Sequence, residues 1–325
     1  MKAKIIGTGA YLPEKILTNS DLEKRIDTTD QWIVERTGVR ERRIAAKDEA
    51  SSDLAYHAAQ KAMKAAGAAP DEIDLIIVAT STPDMFFPST ACIVQDKLKA
   101  TRAAAFDLSA ACSGFVYALS VGEQYIRSGT HQKVLVIGAE VMSRLIDWSD
   151  RRTCVLFGDG AGAVLLGPSS SDNGILSTHL RSDGALWDLI CVPGGGSANP
   201  PSEKVLAERL NTIKMKGNET FKAAVRSLEE VAWEALKANG LAPHQVGYLI
   251  PHQANIRIIS AVAERLRFPM EKVVVNLDRY GNTSAASIPI ALDEAVRDGR
   301  VKPGTLLLFL AFGGGLTWAS ALARW

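Results

Sequence analysis

Three stretches of the chain are apolar without alternation: LIIVAT (75–80), KVLVIGA (133–139) and TLLLFLAF (305–312). Uninterrupted runs of this length predict strands covered on both faces, as in the sheets of α/β proteins. Shorter strands are predicted from Lys4 to Gly9 and over AAAF (103–106). Helical segments lie between them. SSDLAYHAAQKAMKAAG (51–67) is one, and FVYALSVGEQYIRSG (115–129) is another, with Phe115, Leu119, Val121 and Ile126 as its apolar positions. A polar helix is predicted to open near Thr18-Asn19, with a capping side chain.

The pattern occurs twice. GAAPDEIDLIIVAT from Gly67 resembles GLAPHQVGYLIPHQ from Gly240, an offset of 173. Further on the offset becomes 170, which lays AAAFDLSAACSGFVYAL over VVVNLDRYGNTSAASIPI and Gly129 over Gly299. Each half reads helix, strand, helix, strand, loop, helix, strand. Two halves, 1–172 and 173–325, predict a pseudo-symmetric α/β structure whose sheets share central helices. In this register Cys112 lies opposite Asn282, each at a strand-to-helix junction.

At 325 residues, the chain has 37 basic and 36 acidic side chains, a net charge of +1. No global field points to nucleic acid or to a membrane surface. MKAKIIGTGA passes directly into a strand, and no apolar run approaches the roughly 20 residues needed to span a bilayer. The expectation is a soluble cytoplasmic protein. Cys92, Cys112, Cys154 and Cys191 have no C-x-x-C spacing, which argues against a zinc site and a disulfide framework.

Candidate chemistry centres on DLSAACSG (107–114). Alone, a cysteine among alanines reads as core packing. At a helix N-terminus, unpaired N–H groups and the dipole favour an anion, so the Cys112 thiol is expected to ionise readily. Of the five histidines, His252 stands out, because Pro251 ends its strand and Gln253-Ala254-Asn255 opens a turn. GDGAGA (158–163) leads into VLLG and not a helix, which predicts a tight hairpin with close backbone packing in place of a nucleotide loop. GGG (313–315) follows a buried strand and brings bare backbone N–H groups within reach of a ligand. Trp32 and Arg36, with Arg40, Arg42 and Arg43 beyond, read either as a solvated face or as a site for a phosphorylated ligand.

Taken together, DLSAACSGFVYALS, RRTCVLFGDGAGAVLL, KMKGNETFK, IPHQAN, YGNTSAAS and FGGGLTW resemble, in order and spacing, the β-ketoacyl-[acyl-carrier-protein] synthase III family. The resemblance covers essentially the whole chain. It implies the thiolase fold, a five-layered αβαβα sandwich, and the condensation of a short acyl-CoA, acetyl-CoA foremost, with malonyl-acyl carrier protein. A related condensing enzyme of secondary metabolism and a non-catalytic acyl- or carrier-protein-binding subunit are the alternatives. Elongating synthases pair the cysteine with two histidines, whereas no histidine follows His252 here. Thiolases use a late second cysteine, whereas the last one here is Cys191.

The resemblance also assigns roles. Cys112 is the nucleophile, and the N–H groups of Cys112 and Gly314 form an oxyanion hole. His252 and Asn282 hydrogen-bond the malonyl thioester. Trp32 stacks on the CoA adenine with Arg151 on its other side, Thr28 and Arg36 contact the nucleotide, and Gly217 and Asn218 line the pantetheine tunnel. Lys222, Arg257 and Arg265 resemble the carrier-protein docking surface, from which Glu264 departs. Phe87 matches a residue that crosses a homodimer interface to limit the acyl pocket of the other subunit. No metal and no cofactor is implied.

Overall fold

The computed structural model describes residues 2–325. Its framework is nine strands and six long helices. The strands are β1 (Lys2–Tyr11), β2 (Leu75–Ala79), β3 (Ala104–Leu108), β4 (Val134–Val141), β5 (Asp159–Ser169), β6 (Gly174–Ser182), β7 (Tyr248–Pro251), β8 (Leu306–Gly313) and β9 (Thr317–Arg324). The helices are α1 (Ser51–Ala66), α2 (Thr90–Leu98), α3 (Gly114–Arg127), α4 (Gly217–Ala238), α5 (Ile256–Arg265) and α6 (Ser287–Arg297).

The first sheet has the order β1-β5-β4-β2-β3 and the second β6-β9-β8-β7. In the first, β4, β2 and β3 run parallel, and the pairings of β5 with β4 and of β1 with β5 are antiparallel; in the second, β8 and β7 run parallel and the other pairings are antiparallel. A parallel bridge from Leu249 to Val273 extends the second sheet at the place that β3 holds in the first.

The apolar runs are explained by burial on both faces. In β8, Leu307, Phe309 and Ala311 join the cluster that contains α3 and α6, whereas Leu308, Leu310 and Phe312 join the one that contains α4 and α5. Successive side chains of a strand point to opposite faces, so a strand between two helical layers needs apolar residues at every position. On the far side, α1 and α2 pack on the first sheet through Leu54, Ala58 and Val94 against Ile76, Leu135 and Ile137. The order of layers is α1/α2, first sheet, α3/α6, second sheet, α4/α5: the five-layered αβαβα sandwich of the thiolase fold.

Two local expectations change. GDGAGA is no hairpin. From Asp159 onward it forms the start of the straight strand β5, and its glycines admit the central helix, since a Cβ on Gly162 would lie 2.6 Å from the Ile290 nitrogen. The register of the repeat also shifts. Cys112 lies in a 3₁₀ turn, Ala111–Ser113, and its counterpart before α6 is Ser284–Ala286. Both turns begin at a residue with positive φ, Ala111 at 46° and Ser284 at 50°. The backbone equivalent of Cys112 is therefore Ala285, and Asn282 lies upstream on the connection after Val273. The offset of 170 holds at the helix ends, because α3 has 14 residues and α6 only 11.

Candidate active site

Both 3₁₀ turns open onto one cavity of about 1230 Å³, which Cys112, His252, Asn282 and Ser284 line together. The two turns are pressed against the sheets by glycine. A Cβ on Gly138 of β4 would lie 2.3 Å from the Ala285 oxygen, and one on Gly313 of β8 would lie 2.6 Å from the Cys112 nitrogen. Real Cβ atoms do not approach so closely, so these positions admit only hydrogen.

His252 follows β7, its N–H bonded to the Leu310 carbonyl at 2.7 Å. Its Nδ1 lies 2.7 Å from Ser287 Oγ, and that oxygen also accepts the Gln253 N–H at 3.3 Å. With the hydroxyl donating to Nδ1, the proton of a neutral imidazole lies on Nε2. Burial pushes the His252 pKa down to about 3, so the ring is neutral. Asn282 is fixed in the same way: its Oδ1 accepts the Ser284 N–H at 2.8 Å, leaving the amide NH₂ free to donate. Two neutral N–H donors thus border the cavity beside the thiol.

The thiol itself departs from the expected easy ionisation. Burial, with the nearby Glu140 charge, pushes Cys112 up to about 12, while the Ser284 hydroxyl beside it works the other way. Cys112 precedes the first residue of α3, Gly114, and desolvation outweighs what the helix end supplies.

The mouth of the cavity gathers most of the other predicted residues. Trp32, Arg36, Arg151, Gly217, Asn218, Lys222, Arg257 and Gly314 all line it. The Arg151 guanidinium stands 5.1 Å from the Trp32 ring centroid and that of Arg36 stands 6.0 Å from it. Arg257 lies 5.6 Å from the Phe221 ring. Three predicted residues lie elsewhere. Thr28 is off the cavity wall, with its hydroxyl oxygen buried and unpartnered. Arg265 is paired with Glu229 at 2.6 Å. Phe87 stays outside its own chain's cavity, and its neighbours Met85 and Phe86 line the rim.

Residues missed from the sequence are those that hold the donors: Ser287, Ser284 and above all Glu140. Glu140 is fully buried at the end of β4 and accepts from Thr82 Oγ1 at 2.7 Å, Ser284 Oγ at 2.9 Å and the Ser81 N–H at 3.0 Å. A lone carboxylate in the run VLVIGAEV was the available signal. Among the described residues, no group of three or more His, Cys, Asp or Glu is placed to hold a metal ion, and no helix is long and apolar enough to cross a membrane.

Two sheets sharing a central helical layer, with one cavity lined by a cysteine, a neutral histidine and an asparagine, are the architecture of the condensing acyltransferases of the thiolase fold. Residues 106–184 match the family model described as 3-oxoacyl-[acyl-carrier-protein] synthase III, and residues 236–325 match its C-terminal counterpart. Beta-ketoacyl-[acyl-carrier-protein] synthase III of Xanthomonas campestris pv. campestris is 58% identical over 323 residues, covering 99% of this chain and 98% of that one. The protein of that name from Caldanaerobacter subterraneus is 54% identical over the same shares. The crystal structure of 3-oxoacyl-[acyl-carrier-protein] synthase III from Aquifex aeolicus superposes with a TM-score of 0.92 at 53% identity, covering 99% of this chain and 100% of that one. The chain belongs to the β-ketoacyl-[acyl-carrier-protein] synthase III family, acyltransferases that carry out the initiating condensation of fatty-acid synthesis.

Proposed function

We propose that the chain condenses a short acyl-CoA, acetyl-CoA foremost, with malonyl-acyl carrier protein to give β-ketoacyl-acyl carrier protein, CoA and CO₂. The observation that carries this reading is that Cys112 faces two N–H donors, His252 Nε2 and Asn282 Nδ2, whose orientations their own neighbours impose. Trp32 and Arg151 hold the CoA nucleotide at the mouth, and Arg36 and Thr28 contact it. Gly217 and Asn218 line the way in for the pantetheine arm.

The Cys112 sulfur attacks the thioester carbonyl, whose developing oxyanion is received by the N–H groups of Cys112 and Gly314. The C–S bond to CoA breaks, and the thiol proton ends on the CoA sulfur. Malonyl-acyl carrier protein then enters, with Lys222 and Arg257 at the mouth meeting its acidic surface; Arg265 is held by Glu229 and contributes after that pair opens. His252 and Asn282 donate to the malonyl thioester oxygen. The bond to the carboxylate breaks, CO₂ leaves, and the electron pair goes into an enolate that both donors stabilise. Its carbon attacks the acyl-cysteine and expels the Cys112 sulfur as a thiolate, which takes up one proton from solvent to restore the thiol. The electron pair comes from decarboxylation, so the reaction calls for neither metal nor redox cofactor.

The working form in this reading is a cytoplasmic homodimer, each chain built of halves 1–172 and 173–325, with Phe87 closing the acyl pocket of the other subunit. Incubation with acetyl-CoA is expected to add one acetyl group at Cys112, seen by intact mass and peptide mapping. Asn282→Ala is expected to keep that adduct and to lose malonyl decarboxylation by about 100-fold, the scale of one removed oxyanion donor. A folded protein that takes no acyl group from any acyl-CoA would overturn the proposal, and equal loss of both half-reactions would overturn the role of Asn282.

A further inference from the structure

Forming the Cys112 thiolate poses a problem that His252 does not solve. The imidazole is buried and the thiol half-buried, both of them neutral, so proton transfer between them would create two poorly solvated charges from none. Glu140 is the other ionisable group of the site. It is fully buried, and among the described residues no Lys, Arg or His side chain pairs with it. Its partners are donors: Ser284 Oγ on Oε1, and Thr82 Oγ1, the Ser81 N–H and, at 3.4 Å, Thr80 Oγ1 on Oε2. Thr82 Oγ1 already accepts the Val141 N–H at 2.9 Å, so its own hydrogen goes to the carboxylate. This donor set fits an ionised Glu140. The Ser284 hydroxyl stands between the two acids. Its hydrogen is directed at Glu140, it lines the cavity together with Cys112, and the two turns that carry Cys112 and Ser284 pack against each other.

We propose that Glu140 is a positioning residue and the resting proton acceptor for Cys112, acting through the Ser284 hydroxyl. The S–H bond breaks as its proton passes to Ser284 Oγ, while the Ser284 proton passes to Glu140 Oε1. The sulfur is then free to attack the acyl thioester, and the proton returns by the same hydroxyl to the departing CoA sulfur. One negative charge is buried throughout: it moves from carboxylate to sulfur and then to the leaving group, so no second charge is desolvated. Burial raises the pKa of Glu140 as well as that of Cys112. The turn that carries Cys112 belongs to one half of the chain and Ser284 to the other, so the relay forms only when the halves are docked.

The relay rests on the reading of Cys112 as the acyl acceptor, and iodoacetamide tests it without substrate. Alkylation of Cys112, followed by intact mass at neutral pH, is expected to fall about tenfold in Glu140→Gln, which keeps the shape and removes the acceptor. Glu140→Asp is expected to restore part of the rate. Ser284→Ala keeps the backbone N–H that orients Asn282 and is expected to show the same loss. In both Glu140→Gln and Ser284→Ala, acetylation falls about tenfold further than malonyl decarboxylation. A carboxylate that acts only as a buried charge predicts the opposite sign, with Glu140→Gln alkylated as fast as wild type or faster, and that result would overturn the relay. If Glu140→Gln does not fold, Ser284→Ala decides alone, unchanged alkylation being the contrary result. Slow alkylation of the variants together with a wild type that never accepts an acetyl group would sink the proposed reaction and leave the relay standing.

Discussion

In the proposed reaction His252 and Asn282 serve as donors, each oriented by a serine contact. Ser287→Ala removes the hydroxyl that occupies Nδ1, after which the imidazole takes either tautomer and presents an N–H to the cavity only part of the time. Malonyl decarboxylation is expected to fall about tenfold with acetylation by acetyl-CoA unchanged, since only the first uses His252. Two radiolabelled half-reaction assays check this. A stability effect follows from the same burial. The pKa of His252 is lowered from 6.5 to about 3, so between these values the unfolded chain binds a proton that the folded chain refuses. Stability from this group is complete above the unfolded value and is lost as pH falls toward the folded one. The melting temperature is therefore expected to decline on acidification through that window, and less steeply in His252→Gln. At this scale position after an apolar strand marked Cys112 and His252 as candidates, and the resemblance of the surrounding motifs assigned their roles. It could not disclose the thiol's high pKa, because desolvation comes from both halves closing over the sulfur.

The strands were legible because sandwiching between two helical layers leaves no polar positions, as β8 shows with alternate residues in different cores. The helix starting after Cys112 was legible too, predicted from 115 and observed from Gly114. What pattern could not supply was where backbones touch. GDGAGA looked like a turn because glycine is ambiguous between bending a chain and making room beside it. Its strand form shows the second use, and Gly138 shows it too, with the Ala285 oxygen 2.3 Å from any added Cβ. Gly138→Ala is expected to destabilise the fold by about 1–3 kcal/mol through overpacking of the central layer. Because the displaced segment carries Asn282 and Ser284, decarboxylation should fall with it. Gly184→Ala, which meets nothing within 4 Å, serves as the control and should change neither. Urea denaturation of the two variants beside wild type gives the difference.

Across the whole molecule, pseudo-symmetry places two matching turns over one cavity but gives them different work. One carries Cys112, the proposed nucleophile. The other supplies Ser284, its upstream connection supplies Asn282, and the first residue of its helix is Ser287, which sets His252. The cavity wall is less complete where Met85, Phe86 and Phe87 stand out from the surface, with Phe86 81% and Phe87 85% exposed. Two adjacent phenylalanines that bare are costly in water, since burying one such side chain is worth about 1.5–3 kcal/mol. A second copy of the chain is the cover that the proposed homodimer supplies. Phe87→Ala is then expected to weaken self-association by about 10- to 100-fold, the same energy expressed as a dissociation constant. It should also admit longer acyl-CoA primers, because the residue would limit the pocket of the other subunit. Sedimentation equilibrium and a primer panel from acetyl-CoA upward measure the two effects together. A monomeric wild type, or a dimer indifferent to Phe87 with primer choice unchanged, would remove Phe87 from the acyl site.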